Sequence, residues 1–383
     1  MGKVDPKIDE AIQTLDMKDG PSRRKLLTGT GLVSATAAAS ALLAACSSSS
    51  SSASTAKSTA GNFPKTPAWQ FWFVNHVTTN PFFVPTQYGF QDAAALLGIP
   101  TPKWGGSTTS SVPQMVSYLN TAIAGKANGI AVAVIDATAF TTPVASAMNA
   151  GIPVVSYNAD GTVNASGVAT TGTNRLAYYG QDLYASGVAL GDRIVSLMPS
   201  GGDAVGFIAT PGTGNIQPRL NGAKSAIAAS GKKITLAEIA TGAALPQENT
   251  TEESYILSHK SSLKGVFAVD AGSTEEIGPI LAKNGLVGKV AAGGFDLTPG
   301  TLSAIQAGQL DFTIDQSPYQ QGFLPVIGLY LFNLSGGLVE PSDTDTGLTF
   351  VTKSTVAPYL KTTSRFEGST TQQKVLTRSG AIQ

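Results

Sequence analysis

Eight short apolar runs in this chain each end on a side chain that hydrogen-bonds in a fixed direction: Asn75, Asp136, Asn158, Thr210, Thr241, Asp270, Asp296 and Gln316. Amides, carboxylates and hydroxyls of this kind suit a neutral, polyhydroxylated molecule better than a phosphate or a dinucleotide. Beside the first of them stands Asn80-Pro81-Phe82-Phe83. Asn80 is a good helix N-cap and Pro81 fits the first helical position. Phe82 and Phe83 follow in the first turn, where an aromatic ring can lie against the C–H face of a sugar. A core role for both rings is the competing reading, but adjacent residues cannot both face one direction, so one or both rings are expected at a ligand. Any single strand-end residue could serve only as the cap of the next helix. Eight together point to a polar binding site.

The elements that position these residues follow from periodicity. Strands are expected over 69–74, 130–135, 154–157, 204–209, 234–240, 266–269, 290–294 and 312–314. Helices are expected between them, over 81–97, 112–124, 141–149, 175–197, 216–229, 248–259, 273–283 and 298–307. Such alternation gives α/β architecture with parallel sheets covered by helices. So many strands exceed a single six-stranded sheet, so two Rossmann-like lobes are the expected arrangement. Ligands of such sheets bind outside the carboxyl ends of the strands, where the polar residues collect.

Other chemistry is excluded by what is missing. There is one Cys, Cys46, and there are two His, His76 and His259. No internal disulfide, thiol nucleophile or zinc site is therefore expected, and both histidines read as structural or surface residues. A Gly-x-Ser-x-Gly elbow is absent, and Gly212-Thr213-Gly214-Asn215 lacks the Gly and Lys of a phosphate loop. Asp270 with Asp296 could serve a glycosidase, yet no enzymatic activity and no cofactor are expected.

Cys46 closes a small, mildly apolar stretch that follows Arg23 and Arg24. Leu43-Ala44-Ala45-Cys46 has the form of a lipobox, so 1–46 reads as a twin-arginine lipoprotein signal with lipidation at Cys46. Residues 47–62 are mostly Ser, Ala and Thr, a composition too polar and small to fold, and read as a flexible tether. The protein is then exported and lipid-anchored to the outer face of the cytoplasmic membrane, or periplasmic. Six of the 25 basic and five of the 25 acidic residues precede Cys46, so the exported part carries a net charge of about −1. That leaves no electrostatic footprint for nucleic acid.

Taken in order, Asn80-Pro81-Phe82-Phe83, then 151–158, Arg219-Leu220-Asn221-Gly222, 265–270, Gly294-Phe295-Asp296 and Thr313-Ile314-Asp315-Gln316 resemble the ribose-binding-protein-like substrate-binding proteins of sugar ABC transporters. The resemblance implies a type I periplasmic-binding fold whose lobes close as a hinge crossed three times, near Thr173, Gln316 and Phe350. Residues 63–173 plus 317–350 would form the N-terminal lobe, and 174–316 plus 351–383 the C-terminal lobe and tail. It further implies a monomer that binds a monosaccharide or polyol and delivers it to a permease. A sensor that presents a sugar or autoinducer to a membrane receptor is the alternative. The implied ligand set is Asn80, Phe82, Phe83, Asp136, Asn158, Arg219, Asp270, Asp296 and Gln316. Asn158 stands where the ribose-type pattern has Asp, and Ala159 where it has Arg, which removes charge-assisted hydrogen bonds and disfavours ribose.

Overall fold

The computed structural model describes residues 64–163, 169–170, 173–361 and 363–376. The stretches read as signal and tether, and Cys46 between them, lie outside the described residues. From Phe71 the chain alternates strand and helix. β1 (Phe71–Asn75) leads through a 3-10 turn (Pro81–Phe83) into α1 (Val84–Leu97), then β2 (Lys103–Gly106), α2 (Val112–Ala124), β3 (Gly129–Val134), α3 (Ala137–Asn149) and β4 (Val154–Asp160). A hairpin of β5 (Thr162–Val163) and β6 (Ala169–Thr170) precedes β7 (Tyr178–Gly180). The second half continues with α4 (Leu183–Leu197), β8 (Gly202–Ile208), α5 (Gln217–Ala229), β9 (Ile234–Ala240), α6 (Leu245–His259) and β10 (Leu263–Ala268). Next come α7 (Ala271–Lys283), β11 (Ala291–Phe295), α8 (Pro299–Ala307) and β12 (Phe312–Asp315). The chain then runs through α9 (Pro318–Leu334), β13 (Thr344–Asp345), β14 (Thr349–Thr352) and α10 (Ala357–Lys361).

Two six-stranded sheets result, in the orders β13-β7-β4-β3-β1-β2 and β14-β12-β11-β10-β8-β9. All their pairings are parallel except β12 with β14. Helices cover parallel sheets on both faces, so central strands are apolar throughout; Phe71, Phe73, Val74 and Val132 in one lobe and Val205, Phe207 and Val266 in the other are fully buried. In each sheet the chain goes outward by one strand and then returns past its start. The order therefore reverses between β1 and β3, and again between β8 and β10, which is where open sheets leave a crevice for ligand.

Helix packing within each lobe rests on glycines. A Cβ at Gly89 of α1 would strike the backbone of Tyr319 in α9, and one at Gly322 of α9 would strike that of Thr86. The second lobe repeats the device, Gly187 of α4 against Arg219 and Gly222 of α5 against Tyr184. Each pair sets two backbones closer than any side chain allows.

Three segments cross between the sheets. The first lies at 181–182, later than Thr173, because Tyr178–Gly180 still pairs with β4. The stretch expected as one helix over 175–197 is a short strand followed by a helix, which Asp182 caps by accepting from the Ala185 N–H at 2.9 Å. The second crossing runs through 316–317, between β12 and α9. The third lies at 346–348 rather than near Phe350, whose strand is already paired with β12.

The C-terminal tail corrects a further expectation. α10 packs on α8 in the second lobe, but the residues after it return to the first lobe. Arg365 reaches Asp92 of α1 with its Nε at 3.0 Å, donates to the Gln91 Oε1 at 2.9 Å and lies 4.1 Å from the centre of the Tyr88 ring. The Tyr319 hydroxyl donates to the same Asp92 at 2.8 Å. Asp92→Ala strands a largely buried guanidinium, so a loss of about 2–3 kcal/mol is expected. The check is a lowered urea midpoint at unchanged m-value; a midpoint equal to that of the parent protein would show the clamp contributes nothing.

Candidate functional site

The loops at the two reversal points face each other across a cleft. The first lobe supplies His76, Asn80, Phe82, Phe83, Ser110 and Asn158. From the second come the loop 209–216, Arg219 on α5, Glu248 on α6, Asp270 to Gly272 at the start of α7, Asp296 after β11, and Gln316 in the second crossing. The rim is closed by direct contact between lobes. Asn215 Nδ2 lies 3.2 Å from His76 Nε2, and the Gly214 N–H donates to the Ile135 carbonyl at 2.8 Å. Gly214 is needed there, because a Cβ would strike the backbone of Gly161.

Asn80 caps the 3-10 turn, its Oδ1 accepting from the Phe82 N–H at 2.9 Å. A 3-10 turn advances about 120° per residue, and with this tight start both Phe82 and Phe83 reach the cleft, their rings 4.7 Å apart and edge to face. Adjacency did not keep either ring out of the core: Phe82 and Phe83 are both buried in the first lobe's apolar cluster while lining the cleft. Phe83 also packs against Trp104 and edge-on against His76, so it belongs to the core and the cleft at once.

Asn158 sits at φ 62°, where β4 bulges against β3. Asn tolerates this left-handed region better than other residues with a Cβ, and its side chain donates to the Gln321 Oε1 at 3.1 Å. Asp296 occupies the same region at φ 79° and accepts from Gln316 Nε2 at 2.6 Å. Both kinked positions turn a polar side chain inward at the end of a strand.

Arg219 is 2% exposed. It donates to the Val269 carbonyl at 3.0 Å and to the Gln181 Oε1 at 3.1 Å, and its guanidinium lies 4.2 Å from the centre of the Phe295 ring. Burial works against its charge, while the Asp296 and Asp270 carboxylates support it. Asp270 accepts from the Ala209 and Ser273 N–H groups at 2.9 and 3.0 Å, so it caps α7 while lining the cleft.

Of the residues expected at the strand ends, Asn158, Thr210, Asp270, Asp296 and Gln316 line the cleft. Asp136 does not: it is exposed and caps α3 by accepting from the Ala139 N–H at 3.0 Å. Asn75 is buried beneath the site against the Tyr157 hydroxyl, and Thr241 against Ser273. His76, read from sequence as structural, belongs to the lining, as do Ser110, Asn215 and Glu248. His76 directly follows a strand-end Asn, a weak signal; Glu248, in the first turn of a helix, gave none.

Burial governs the protonation of the cleft. It raises Asp296 to about 6 against the pull of Arg219 and Gln316. Glu248 is pushed to about 8 by burial, then by Asp270, Glu276 and Glu275. His76 is lowered to about 4 by burial. A carboxyl raised on folding stabilises the folded state below its unfolded value and loses that contribution as pH climbs through the folded one. Asp296 therefore acts between 3.8 and about 6, and Glu248 between 4.5 and about 8. His76 acts oppositely, adding stability as pH rises from about 4 to 6.5. Above 6.5 the Glu248 loss stands without that offset. The melting temperature of the ligand-free protein should fall between pH 6.5 and 8.5, less steeply in Glu248→Gln. Scanning calorimetry across that range checks it, and a flat profile would contradict it.

The chain's relatives fit this geometry. A family model described as "Periplasmic binding protein domain" matches residues 71–327. Over 320 residues the chain is 50% identical to the xylose/arabinose-binding protein XylF of Sulfolobus acidocaldarius, covering 82% of this chain and 78% of that protein. Among solved structures, a solute-binding protein of a Burkholderia graminis ABC transporter in complex with D-arabinose superposes with a TM-score of 0.67 at 23% identity, covering 76% of this chain and 98% of the other. One from Agrobacterium vitis bound with α-D-tagatopyranose gives 0.68 at 24%, covering 78% and 98%. With about two thirds of its length matched by the family model, and half of the positions aligned with XylF identical, the chain belongs to the periplasmic binding protein family.

Proposed function

We propose that this protein captures a monosaccharide or polyol between its lobes, with an aldopentose as the favoured ligand, and delivers it to the permease of an ABC transporter. One observation carries the reading: the Phe82 and Phe83 rings line the same cleft as the buried hydrogen-bonding set of Asn158, Arg219, Asp296 and Gln316. A pyranose has that division, apolar C–H faces and a polar equator of hydroxyls. In this reading a Phe ring takes a sugar face, Arg219 and Asp296 hold hydroxyls by charge-assisted bonds, and Asn80, Asn158, Asp270 and Gln316 fix the remaining ones. XylF, a xylose/arabinose-binding protein, supports the pentose choice. Asp270 and Asp296 already hold protein N–H groups, which favours binding over a hydrolytic pair.

Calorimetric titration with D-xylose, L-arabinose, D-ribose, hexoses, polyols and amino acids tests this. A pentose should bind with the highest affinity, and Arg219→Ala should weaken it by about ten- to hundredfold, the range for a hydrogen bond to a charged group. Tight binding of an amino acid with no response to any sugar or polyol would overturn the ligand class. Undiminished affinity in Arg219→Ala would overturn the assigned site.

We further propose export by the twin-arginine route, lipidation at Cys46 and residence on the outer face of the membrane. Support comes from the Arg pair, the lipobox and the Ser-rich stretch after it. Replacing Cys46 by Ala should move the protein from the membrane to the soluble fraction or leave it unprocessed. Membrane attachment that persists unchanged, with the N-terminus intact, would refute the anchor.

A further inference from the structure

We propose that Glu248 is an additional specificity-determining contact of the cleft, reading one hydroxyl of the bound sugar as a hydrogen-bond donor. This rests on the reading of the cleft as a sugar site. Glu248 stands in the first turn of α6, is 3% exposed, and lines the cleft. Its Oε2 is wholly buried with no hydrogen-bond partner among the described residues. The carboxyl is seated against Gly272 in the first turn of α7, where a Cβ would strike it.

Nothing around the carboxyl favours an anion. Glu252, one turn along α6, is fully buried and has no ion-pair partner among the described residues. Asp270, Glu275 and Glu276 face Glu248 from α7 and its cap. Across the cleft, Arg219 is the charged group of α5, with Asp296 beside it. Among the described residues no Lys or Arg forms an ion pair with Glu248. An unpaired carboxyl buried among carboxyls keeps its proton. With Oε2 enclosed by protein, the proton can sit on Oε1 and be given to a ligand oxygen. The other acids of the set, Asp270 and Asp296, are acceptors toward protein N–H groups, so Glu248 adds the complementary polarity. A sugar hydroxyl held by a donor acid must present a lone pair there, which discriminates between epimers.

The protonation values give the direction of the effect. Glu248 is held at about 8, whereas Asp296 at about 6 is largely ionised, and His76 at about 4 neutral, throughout pH 7–9. If binding requires the Glu248 proton, affinity is nearly constant below pH 7.5 and falls toward tenfold per pH unit above 8.

The experiment is calorimetric titration of the full chain with D-xylose and with L-arabinose from pH 6.5 to 9. The parent protein should bind the preferred sugar about tenfold more weakly at pH 9 than at pH 7. Glu248→Gln, which keeps an N–H donor that does not titrate, should show a flat profile. Gly272→Ala, whose methyl would strike the Glu248 carboxyl, should lower affinity and narrow the preference between the two sugars. A Glu248→Gln profile that falls in parallel with the parent, or a flat parent profile, would overturn the proposal. If neither sugar binds the parent at any pH, the pentose reading of the cleft falls and this contact with it. Binding in the parent separates the two failures.

Discussion

A buried chain of amide hydrogen bonds runs through all three crossings, and the arrangement of the cleft depends on it. Gln321 of α9 donates to the Gln316 carbonyl, the Gln316 Oε1 and the Thr346 hydroxyl while accepting from Asn158. Thr346, in the third crossing, donates in turn to the Gln316 carbonyl at 2.7 Å. Gln316 continues to Asp296, and Gln181 of the first crossing joins the Gly347 carbonyl of the third to Arg219. Four cleft residues, Asn158, Arg219, Asp296 and Gln316, are thus held by the segments that must bend when the lobes separate. A ligand gripping those side chains acts on the hinge through single hydrogen bonds, with no intervening element.

The likeness of the two lobes gives this network its geometry. Each sheet reverses its order one strand in from an edge, and each lobe brings two helices together over reciprocal glycines. In the first lobe that pair is α1 and α9, so the helix emerging from the second crossing is fixed at Gly322, one residue from Gln321. In the second it is α4 and α5, so the helix emerging from the first crossing is fixed against the backbone of Arg219 itself. Close packing beside two of the crossings confines bending to a few residues, the usual means of hinge closure. Substitutions at Gly187 or Gly222 would therefore reach the site through Arg219.

Much of this was legible in the sequence because it depends on local patterns. The strands that carry the core have dense apolar runs, and Asn80 and Asp270 announce the helical turns they cap. The edge strands were not legible: Lys103–Gly106 has two glycines, Tyr178–Gly180 is three residues long and Thr344–Asp345 two, too short for periodicity to register. That is why the first crossing was expected at Thr173. Asp136 and Asp270 look alike, each ending an apolar run and capping a helix. They differ in what the opposite lobe places over them, and only tertiary structure decides that. Glu248 had the bland appearance of an acid in a helix's first turn, since its seat at Gly272 is distant in sequence. The tail's return to α1 was hidden for the same reason, because the partners of Arg365 on α1 lie more than 270 residues away.

The division between charged and neutral contacts suits a protein that opens and closes. Among the described residues the ion pairs within the body of a lobe are Arg175 with Asp160 and Asp343 in the first and Lys224 with Glu238 and Lys283 with Glu253 in the second, while Arg365 with Asp92 fastens the tail that leaves the second lobe at α10 to the first. The crossings are laced by Gln, Asn and Thr instead. A neutral hydrogen bond contributes about 0.5–1.5 kcal/mol net, because water replaces the partner when it breaks. Breaking a buried ion pair without re-pairing its members is far more costly, about 3–5 kcal/mol. Ion pairs across the hinge would lock one state against anything a sugar could supply. Neutral amides leave the two states close enough in free energy for a few ligand hydrogen bonds to choose between them, while the intralobe ion pairs and glycine contacts keep each lobe rigid through the motion.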